Sequence, residues 1–398
     1  MKTQSDTVYA VTASFLGWML DAFDFFVLVF VLSKAAADFH VSLKDQMTLA
    51  ITVTLAFRPL GALIFGLLAD RYGRRRPMIA NVIFFSVMEV LSGLAPTFGV
   101  FMVCRALFGI GMGGEWGVGA ALSMEKVPPR WRGVCSGLLQ QGYPGGYLLA
   151  ACCFRFLPAT SSWRVLFFIG LLPALLAVCV CWKVKESDVW RQARAASWSG
   201  LGRAALCHWK LFLYLAVLMT MMNLASHGTQ DLYPSFLEQE RHFTKAQVGN
   251  TAIIYNLGAV VGGVCFGLLS DRIGRRRSMT LALLLAGGFI PLWSSGATVV
   301  SLGAGAFLMQ FMVQGAWGVI PAHITEVSPN AVRGFLPGFA YQCGVLLAGN
   351  AAHFEAQLSK GGTYASAMAI TALAAFCLGA MVIMLGPERK AFVFVEQQ

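Results

Sequence analysis

The sequence predicts an all-α membrane protein with twelve transmembrane helices in two six-helix pseudo-repeats. Three observations support this fold class. Hydrophobic residues make up 57% of the 398 residues and charged residues 12%, whereas soluble domains usually carry about 25% charged residues. Twelve apolar stretches have the length of about 20 residues that a helix needs to cross a ~30 Å hydrocarbon core. The stretch from Gly66 to Arg76 also returns, with few changes, between Gly267 and Arg277, at an offset of 201 residues.

The predicted spans divide the chain into four regions. They cover residues 11–33, 47–70, 78–96, 98–121, 133–157, 163–183, 210–234, 247–270, 278–297, 299–322, 334–357 and 364–386. The regions are an N-terminal six-helix bundle in residues 1–183, a cytoplasmic linker in residues 184–209 that lies on the membrane surface, a C-terminal six-helix bundle in residues 210–386 and a cytoplasmic tail in residues 387–398. Lysine and arginine are concentrated on the side of both termini, which the positive-inside rule makes cytoplasmic. The polar start lacks a signal-peptide cleavage pattern, so we expect the first span to be retained in the inner membrane.

Charge and cysteine content exclude several classes of protein. The net charge of +11 does not indicate nucleic-acid binding, because the cations lie in short segments between apolar stretches. The ten cysteines form no C-x-x-C pair and are typical of packing residues in apolar helices. The sequence shows no phosphate-binding loop, metal-ligand cluster or nucleophile triad. We therefore expect no enzyme activity, metal or cofactor, and a monomer whose partners are a small organic acid, protons and the lipid bilayer.

The first four spans carry ionisable side chains at membrane depth. Such groups are costly there and indicate function by default, although a satisfied structural pair is the alternative. Asp21 and Asp24 on span 1 are three residues apart and share a helix face. The others are Arg58 on span 2, Glu89 on span 3, and Arg105 and Glu115 on span 4.

These charges favour the carriage of a proton and an anion. Burial favours a neutral carboxyl and a neighbouring arginine favours a carboxylate, so making and breaking such a pair loads and unloads a proton. We expect Arg58, a cation at mid-depth, to bind the carboxylate of the substrate. We also expect Asp24, Arg58, Asn223 and His227 to converge on a central cleft. The residues expected to serve proton coupling are Asp21, Asp24, Glu89, Arg105 and Glu115.

Each copy of the repeated stretch ends an apolar helix with an acid, a glycine turn and a block of arginines. Arginine at bilayer depth costs at least ~2.5–3.5 kcal/mol, so a positive-inside anchor is the simplest interpretation. The pattern G-x-L-x-D-R-x-G-R-R-R resembles the loop between the second and third helices of major facilitator superfamily transporters, with its copy in the second half. The resemblance implies the major facilitator fold and a cytoplasmic gate that breaks as the halves rock. The gate residues are Gly66, Asp70, Arg71, Gly73, Arg74, Gly267, Asp271, Arg272, Gly274 and Arg275.

Span 4 is rich in glycine, and we expect the run from Gly109 to Gly114 to let this helix pack closely on a neighbour. The pattern Arg105-x-x-x-Gly109-x-Gly111 resembles the fourth-helix motif of proton-coupled members of the superfamily. In the second copy the positions of Arg105 and Glu115 are occupied by alanine. Proton handling is therefore assigned mainly to the first half.

Span 7 carries a polar stripe with helical spacing, formed by Asn223, Ser226, His227, Gln230 and Asp231. Facing lipid would be costly for these residues, so they are expected to line a water-filled cavity. His227 can accept a proton, and Asp231, one turn further on, can stabilise its charged form. The stripe is very similar to the signature N-x-x-[S/T]-H-x-[S/T]-Q-D of the fungal lactate/pyruvate proton symporters. The motifs of spans 1 and 4 resemble the sialate:H+ symporter family, which contains those symporters.

Further polar side chains are candidates for the cavity wall, with packing as the alternative. Three groups near the ends of spans, His323, His353 and Glu355, are instead expected to be solvated at the membrane interface. The remaining substrate-binding candidates are Gln141, Tyr147, Tyr255, Asn256 and Trp317; weaker ones are Gln140, Tyr143, Gln310, Gln314, Tyr341, Gln342 and Asn350.

Together, the residues and the resemblance predict a secondary transporter that moves a small organic anion with a proton. A monocarboxylate such as lactate, pyruvate or acetate is the favoured substrate. Three alternatives remain open from the sequence: a sialic acid or aromatic acid as the substrate, uniport or exchange without a proton, and a sensor that binds the acid without moving it.

Overall fold

The computed structural model describes residues 2–157, 161–193, 197–349, 351–359, 361–389 and 392–394. Asn350 lies outside the described residues, as does the side chain of His353. The described part of the chain is almost entirely helical and contains no strand. Its α-helices are α1 Lys2–Asp38, α2 Thr48–Tyr72, α3 Arg75–Leu94, α4 Phe98–Lys126, α5 Arg132–Gln140, α6 Gly142–Phe156, α7 Arg164–Ile169, α8 Leu171–Lys183, α9 Asp188–Ala193, α10 Trp198–Cys207, α11 Trp209–Gln230, α12 Tyr233–Gln239, α13 Lys245–Ile273, α14 Arg275–Ser295, α15 Val299–Val327, α16 Leu336–Ala348, α17 Ala351–Ser359 and α18 Tyr364–Leu385.

The predicted fold class is confirmed, with helices at all twelve predicted positions. Within the described ranges, nine helices are long and apolar enough to cross a membrane. The other three predicted spans are each broken into two helices, α5 with α6, α7 with α8, and α16 with α17. The first break lies at Gln141, three residues before Pro144, whose missing N–H leaves the carbonyl of Gln140 without its helical partner. The second lies at Gly170.

The duplication extends from sequence to turn geometry. Helices α2 and α13 each end at a glycine with a positive φ, 104° at Gly73 and 102° at Gly274, a conformation that favours glycine. Thr97 and Thr298 are the N-caps of α4 and α15, since their side chains accept hydrogen bonds from N–H groups in the first turns of these helices. Each half is therefore built to the same plan.

Within each half, glycines bring two helix backbones into direct contact. A Cβ atom on Gly61 of α2 would collide with the carbonyl oxygen of Ile110 on α4. The copy repeats this contact between Gly262 of α13 and Phe311 on α15. Gly113 of α4 packs in the same way against the backbone of Arg58. The close packing expected of the glycines in span 4 is therefore present, and it holds Arg58 in a fixed place.

The two halves meet at the end of the bundle that carries the Gly73 and Gly274 turns, which we call the arginine-loop end. Backbone contacts there join glycines of opposite halves, Gly133 of α5 with Gly267 of α13, and Gly117 of α4 with Gly338 of α16. Ser136 of α5 adds hydrogen bonds to the backbone of α15, donating to the carbonyl of Gly318 and accepting from the N–H of Ala322 at 2.7 and 3.0 Å. Small residues thus form a seam that closes this end.

The linker and the tail both pack on the arginine-loop end. Trp190 of the linker donates its indole N–H to the carbonyl of Asp70 at 2.7 Å. In the tail, the ring of Phe394 lies between two guanidinium groups, 4.1 Å from that of Arg132 and 4.0 Å from that of Arg333. Since these arginines belong to opposite halves, the tail contacts both sides of the seam.

Candidate functional site

Arg58 is a buried cation at the boundary between the halves. It lies on α2 just before Pro59 and is only 3% exposed. Its Nε and Nη2 atoms have no hydrogen-bond partner among the described residues. The ring of Tyr341, on α16 of the opposite half, lies 5.9 Å from the guanidinium carbon. Buried donors are normally satisfied, so the open side of this guanidinium is suited to an anionic ligand, which it can bind with two parallel hydrogen bonds.

Two carboxyl groups without hydrogen-bond partners lie near Arg58. Asp21 on α1 and Glu115 on α4 are both buried, and none of their four carboxyl oxygens has a hydrogen-bond partner in the described part of the chain. Glu115 lies against Gly17, one turn before Asp21, where any side chain would collide with Oε1. The charges of Arg58 and Asp21 act on each other, and those of Asp21 and Glu115 do the same. Two buried carboxylates with one cation would be costly, so the arrangement favours binding of a proton.

Asp24 does not converge on the central site, contrary to the expectation from the sequence. Its Oδ1 atom lies toward Gly170, at the break between α7 and α8, where an added Cβ would be 2.5 Å away. Asp24 shares this region with Glu89 and Arg105. Helical residues three positions apart differ in direction by about 60°, which is enough to turn Asp21 toward Arg58 and Asp24 into the N-terminal half.

Arg105 is a buried arginine with a counter-ion, although its Nη1 atom has no hydrogen-bond partner among the described residues. It forms an ion pair with Glu89, donates to the hydroxyl of Ser92 at 2.6 and 3.1 Å, and lies 4.4 Å from the ring centre of Phe108. For Arg105 and Glu89 this geometry favours the structural pair that the sequence left open as the alternative. Arg105 and Glu89 remain candidates for proton coupling because their charges act on Asp24.

The polar stripe of span 7 bonds partly to α15 and partly to its own helix backbone. Gln230 of α11 donates to Gln310 of α15 at 2.9 Å, and Gln314 of α15 donates to Ser226 at 3.0 Å. These amides hold α11 and α15 together. Asn223 is buried and donates to the carbonyl of Met219 in its own helix at 2.7 Å, so its oxygen and its second amide hydrogen are not engaged by this bond.

His227 and Asp231 form a pair that solvent can reach. His227 Nδ1 lies 3.0 Å from a carboxylate oxygen of Asp231, and their side chains are 42% and 39% exposed. Helix α11 starts at the linker, so His227 lies about 27 Å along the helix from the arginine-loop end. The charge of Arg58, in the other half, acts on His227. The pair therefore faces the boundary between the halves, on the side away from the seam.

The remaining predicted wall residues lie on the inner helices of both halves. Tyr147 of α6 is half-exposed and packs edge-on against Phe26 at 4.9 Å. Asn256 of α13 donates to the carbonyl of Ala252 at 2.9 Å, and Tyr255 beside it is half-buried. Gln141, at the break between α5 and α6, donates to the carbonyl of Gly137.

An aromatic cluster lies next to Arg58, and the sequence analysis identified it only in part. Tyr341 packs on Trp116 at 4.4 Å, on Trp317 at 5.9 Å and on Trp18 at 6.2 Å, and Trp18 packs on Tyr143 at 5.3 Å. Trp317 also donates its indole N–H to the carbonyl of Met222. Trp18 and Trp116 were not predicted as site residues, although the repeat of Trp116 at Trp317 was a signal. The cluster contains residues from both halves.

The predicted gate residues join the halves by equivalent contacts. Asp70 accepts hydrogen bonds from the backbone N–H groups of Gly334 and Phe335 at 2.7 and 2.9 Å. Asp271 accepts from those of Gly133 and Val134 at 2.9 and 3.3 Å. Each acid thus binds the backbone of the opposite half.

Buried arginines complete this network. Arg74 pairs with Asp70 at 2.6 Å and with Glu125 at 3.1 Å; in the copy, Arg275 pairs with Asp271 at 2.7 Å and with Glu326 at 3.0 Å. Arg132 and Arg333 cross the seam to Glu326 and Glu125. Burial lowers the pKa of Arg333 to about 10, against the raising effect of Glu125, so this arginine remains charged at neutral pH. Arg71 lies over the ring of Tyr72 and Arg272 is exposed.

Two glutamates that the sequence analysis did not select hold the loops in shape. Glu186 accepts hydrogen bonds from the N–H groups of Arg74 and Arg75 at 2.8 and 3.2 Å. Glu388 does the same for the N–H groups of Arg275 and Arg276 at 3.0 and 2.9 Å. Both glutamates bind the unsatisfied N–H groups at a helix N-terminus, where a negative charge is stabilising.

The chain consists of two copies of a bundle of apolar helices. Backbone contacts close one end between the copies, and a buried cation with unpartnered donors lies at their boundary. These features define a membrane transporter of the major facilitator type. The model of the family described as sugar (and other) transporter matches residues 9–197 and 208–397, and the chain belongs to this family. The major facilitator resemblance of the arginine loops is therefore confirmed. The protein is a multi-pass membrane protein with a small-molecule substrate.

Known relatives cover most of the chain. A probable 4-methylmuconolactone transporter of Cupriavidus pinatubonensis is 30% identical over 95% of this chain and 90% of its own length. The sialic acid transporter NanX of Escherichia coli is 29% identical over 84% of this chain and 83% of its own length. A carboxylic acid transporter protein homolog of Saccharomyces cerevisiae is 29% identical over 87% of this chain, which spans 60% of that protein.

Solved structures agree on the fold. A double-tryptophan mutant of XylE superposes with a TM-score of 0.77 at 18% identity, covering 96% of both chains. The transporter FucP in the outward conformation also gives 0.77, at 12% identity, covering 94% of this chain and 97% of its own.

Proposed function

We propose that this protein is a secondary active transporter that carries a small organic anion together with a proton. The observation that supports this most directly is the buried guanidinium of Arg58, which has unpartnered donors and lies near the unpartnered carboxyl of Asp21. A buried cation without a satisfied counter-ion is costly. In this proposal the cation is retained because the substrate anion accepts hydrogen bonds from its unpartnered donors.

The substrate enters from the side away from the arginine-loop end, past His227 and Asp231. There it meets Arg58, which binds its carboxylate with two parallel hydrogen bonds. The aromatic cluster around Tyr341 contacts the apolar part of the anion. Larger substrates need room between Tyr147 and Tyr255, on the walls of opposite halves.

Asp21 and Glu115 carry the proton. While Asp21 is a carboxylate, it competes with the substrate for the charge of Arg58. Protonation removes this competition, so that the proton and the anion bind more strongly together than apart. This reciprocal coupling is what symport requires.

Reorientation then opens the seam. The two six-helix bundles, in residues 1–183 and 210–386, rock about the bound substrate. Asp70 and Asp271 release the backbone N–H groups of the opposite half, and the binding site is connected to the other side of the membrane. No chemical change of the substrate is involved, and no cofactor takes part.

For the substrate we propose a monocarboxylate such as lactate, pyruvate or acetate, because the stripe of α11 matches the signature of the lactate/pyruvate symporters. The second candidate is a sialic acid or an aromatic acid. It is favoured by the relatives, which include NanX, named as a sialic acid transporter. Both candidates share the carboxylate that Arg58 binds.

Reconstituted proteoliposomes with a pH-sensitive dye inside test the proposal. A panel of labelled acids is offered with and without a pH gradient. We expect accumulation of a monocarboxylate, an acid-driven rate, and acidification of the vesicle lumen with the arrival of substrate. Accumulation of sialic acid alone selects the second candidate. Uptake that is indifferent to a protonophore contradicts symport, and binding without accumulation would indicate a sensor.

Arg58 can be tested separately. Arg58→Lys keeps the charge but loses the planar fork, and Arg58→Gln loses both. Removal of a charge-assisted pair costs about 1.5–3 kcal/mol, so we expect KM to rise about 10- to 100-fold. Arg130→Gln, at an exposed arginine, is the matched control. Wild-type KM in both Arg58 variants would place the anion elsewhere.

The proposed location is the inner membrane, with both termini in the cytoplasm. Reporter enzymes that fold only on one side of the membrane, fused after the Gly73 loop and after residue 242, should give opposite signals. Equal signals would contradict the proposed topology.

A further inference from the structure

Glu355 of α17 is buried, although its position near the end of a predicted span indicated solvation at the interface. It is only 1% exposed. Helix α17 packs between α11 and α18, so the carboxyl group lies inside the C-terminal half. This carboxyl has no part in the mechanism of Arg58, Asp21 and Glu115.

The two oxygens of Glu355 have different surroundings. Oε1 accepts a hydrogen bond of 2.5 Å from the hydroxyl of Thr371 on α18. Oε2 is buried and has no hydrogen-bond partner among the described residues. Glycine at position 228 provides the space for this carboxyl, since a Cβ there would be 2.9 Å from Oε1. The carboxyl therefore contacts α11 next to His227.

The titratable groups that act on Glu355 come from α11. They are His227 and Asp231, which flank Gly228 on the same helix. Helix α18 contributes the hydroxyl of Thr371. Arg58, in the opposite half, acts on His227. Glu355 is thus linked to solvent through the exposed pair of His227 and Asp231, and the groups that act on it belong to the C-terminal half.

We propose that His227, Asp231 and Glu355 form a second proton-binding site, located in the C-terminal half. His227 takes a proton from solvent, and Asp231 stabilises the imidazolium through Nδ1. The proton on the other ring nitrogen, Nε2, then passes to Oε2 of Glu355, directly or through water. The imidazole becomes neutral and the carboxylate becomes a neutral carboxyl, so charge and protons balance.

The proposed substrate is an anion, so its binding depends on the negative charges of this site. Asp231 and Glu355 together would present two negative charges beside the path of an anion, and like charges in a low-dielectric site repel strongly. Protonation of Glu355 removes one of them, so the anion enters more readily when a second proton is bound. This inference rests on the proposed function, and it predicts two protons for each substrate anion, with one in each half.

The first experiment measures proton binding without transport. Infrared difference spectra of the purified protein, recorded between acidic and alkaline pH, report the C=O stretch of each buried carboxyl that gains a proton. We expect Glu355→Gln to remove one such band and His227→Gln to shift its titration midpoint. Thr371→Val, which removes the hydrogen bond but keeps the carboxyl, should retain a titrating band. A spectrum unchanged by Glu355→Gln would overturn the proposal.

The second experiment measures the ratio of protons to substrate in proteoliposomes. The dependence of net flux on the membrane potential gives this ratio, because an anion carried with two protons moves one positive charge and an anion carried with one proton moves none. Glu355→Gln preserves the acceptor for Thr371, so the fold is maintained, and we expect the ratio to fall from two to one. An unchanged ratio in that variant means that Glu355 only ties α17 to α18.

The two experiments separate this inference from the function on which it rests. Wild-type protein that shows the Glu355 band but no proton-coupled uptake would contradict the proposed function alone. Wild-type symport with no Glu355 band would contradict the second site alone.

Discussion

Arg58 and Arg105 are both buried arginines of the N-terminal half, yet their surroundings assign them opposite roles. Arg105 is enclosed by Glu89, Ser92 and an aromatic ring, whereas two nitrogens of Arg58 have no hydrogen-bond partner among the described residues. A cation in an ion pair is needed for stability, and a cation without an ion-pair partner among the described residues is available for binding. This contrast can be tested by making the same substitution at both sites.

Arg105→Gln should destabilise the protein. Glu89 would be left buried without its cation, and breaking a buried pair by removing one partner costs about 3–5 kcal/mol. Thermal unfolding in detergent should show a clear fall in Tm for this variant. Arg58→Gln is the matched control and should retain a Tm near that of the wild type, because it leaves no broken ion pair. Equal losses in both variants would contradict the assignment.

Asp21→Asn should separate substrate exchange from proton coupling. The amide resembles a permanently protonated carboxyl, so Arg58 remains available to the anion. We expect counterflow of labelled substrate to persist while uphill accumulation driven by a pH gradient is lost. Asp188→Asn, at an exposed aspartate of the linker, is the matched control and should retain accumulation. Wild-type accumulation by the Asp21 variant would remove Asp21 from the proton path.

Single residues were only partly predictable from the sequence. The cost of a charge in an apolar helix is visible in the chain itself, which is why Arg58, Asp21 and Glu115 were selected. Which neighbour a charge faces depends on packing, and so Asp24 was expected at the central cleft but lies toward Gly170. Glu355 was missed because hydropathy does not reveal that its helix packs against α11.

At the scale of elements, glycines of the seam set how closely the halves approach. Gly133 of α5 meets the backbone of Gly267 on α13, and a Cβ at either position would collide with the other chain segment. The helices themselves were predictable because apolar length and turn residues are local signals. The breaks at Gln141 and Gly170 were not predicted, although Pro144 is a local signal for the first of them.

Gly133→Leu should keep the arginine-loop end from closing. A cysteine introduced at Ser136, which is buried in the seam, reports closure by its reaction with a maleimide in a cysteine-free background. We expect faster labelling and much slower transport in the Gly133→Leu variant. Gly287→Leu, where an added side chain meets open space, is the matched control. Unchanged labelling after Gly133→Leu would show that the seam tolerates the bulk.

For the whole molecule, the duplication predicted the architecture, since an offset of 201 residues aligns the loops, the caps and the Trp116 and Trp317 pair. The family resemblance, rather than residue patterns, led us to expect that the two halves lie around Arg58. The contacts between halves are supplied by residues far apart in the chain, such as Asp70 with Gly334. No local signal encodes them.

The proposed division into two bundles predicts that the chain can be split. Fragments 1–195 and 196–398, expressed together, should recover transport, because the cut falls between the linker helices and leaves both bundles intact. Each fragment alone should be inactive, as it lacks half of the site. A cut within α4, between residues 111 and 112, is the control and should not recover. Failure of the first pair with both fragments present in the membrane would contradict the independence of the bundles.

The gate has the pairing of an isologous interface. Asp70 binds the backbone at residues 334 and 335, and Asp271 binds it at residues 133 and 134, so one contact is made twice in reciprocal directions. Two copies of a single six-helix unit, related by a twofold axis, would make both contacts with one sequence. Fusion of such a homodimer and later divergence of its copies would produce a chain with this pairing. The gate has this twofold pairing, whereas Arg105 and Glu115 of the first interior have alanine at the equivalent positions of the second.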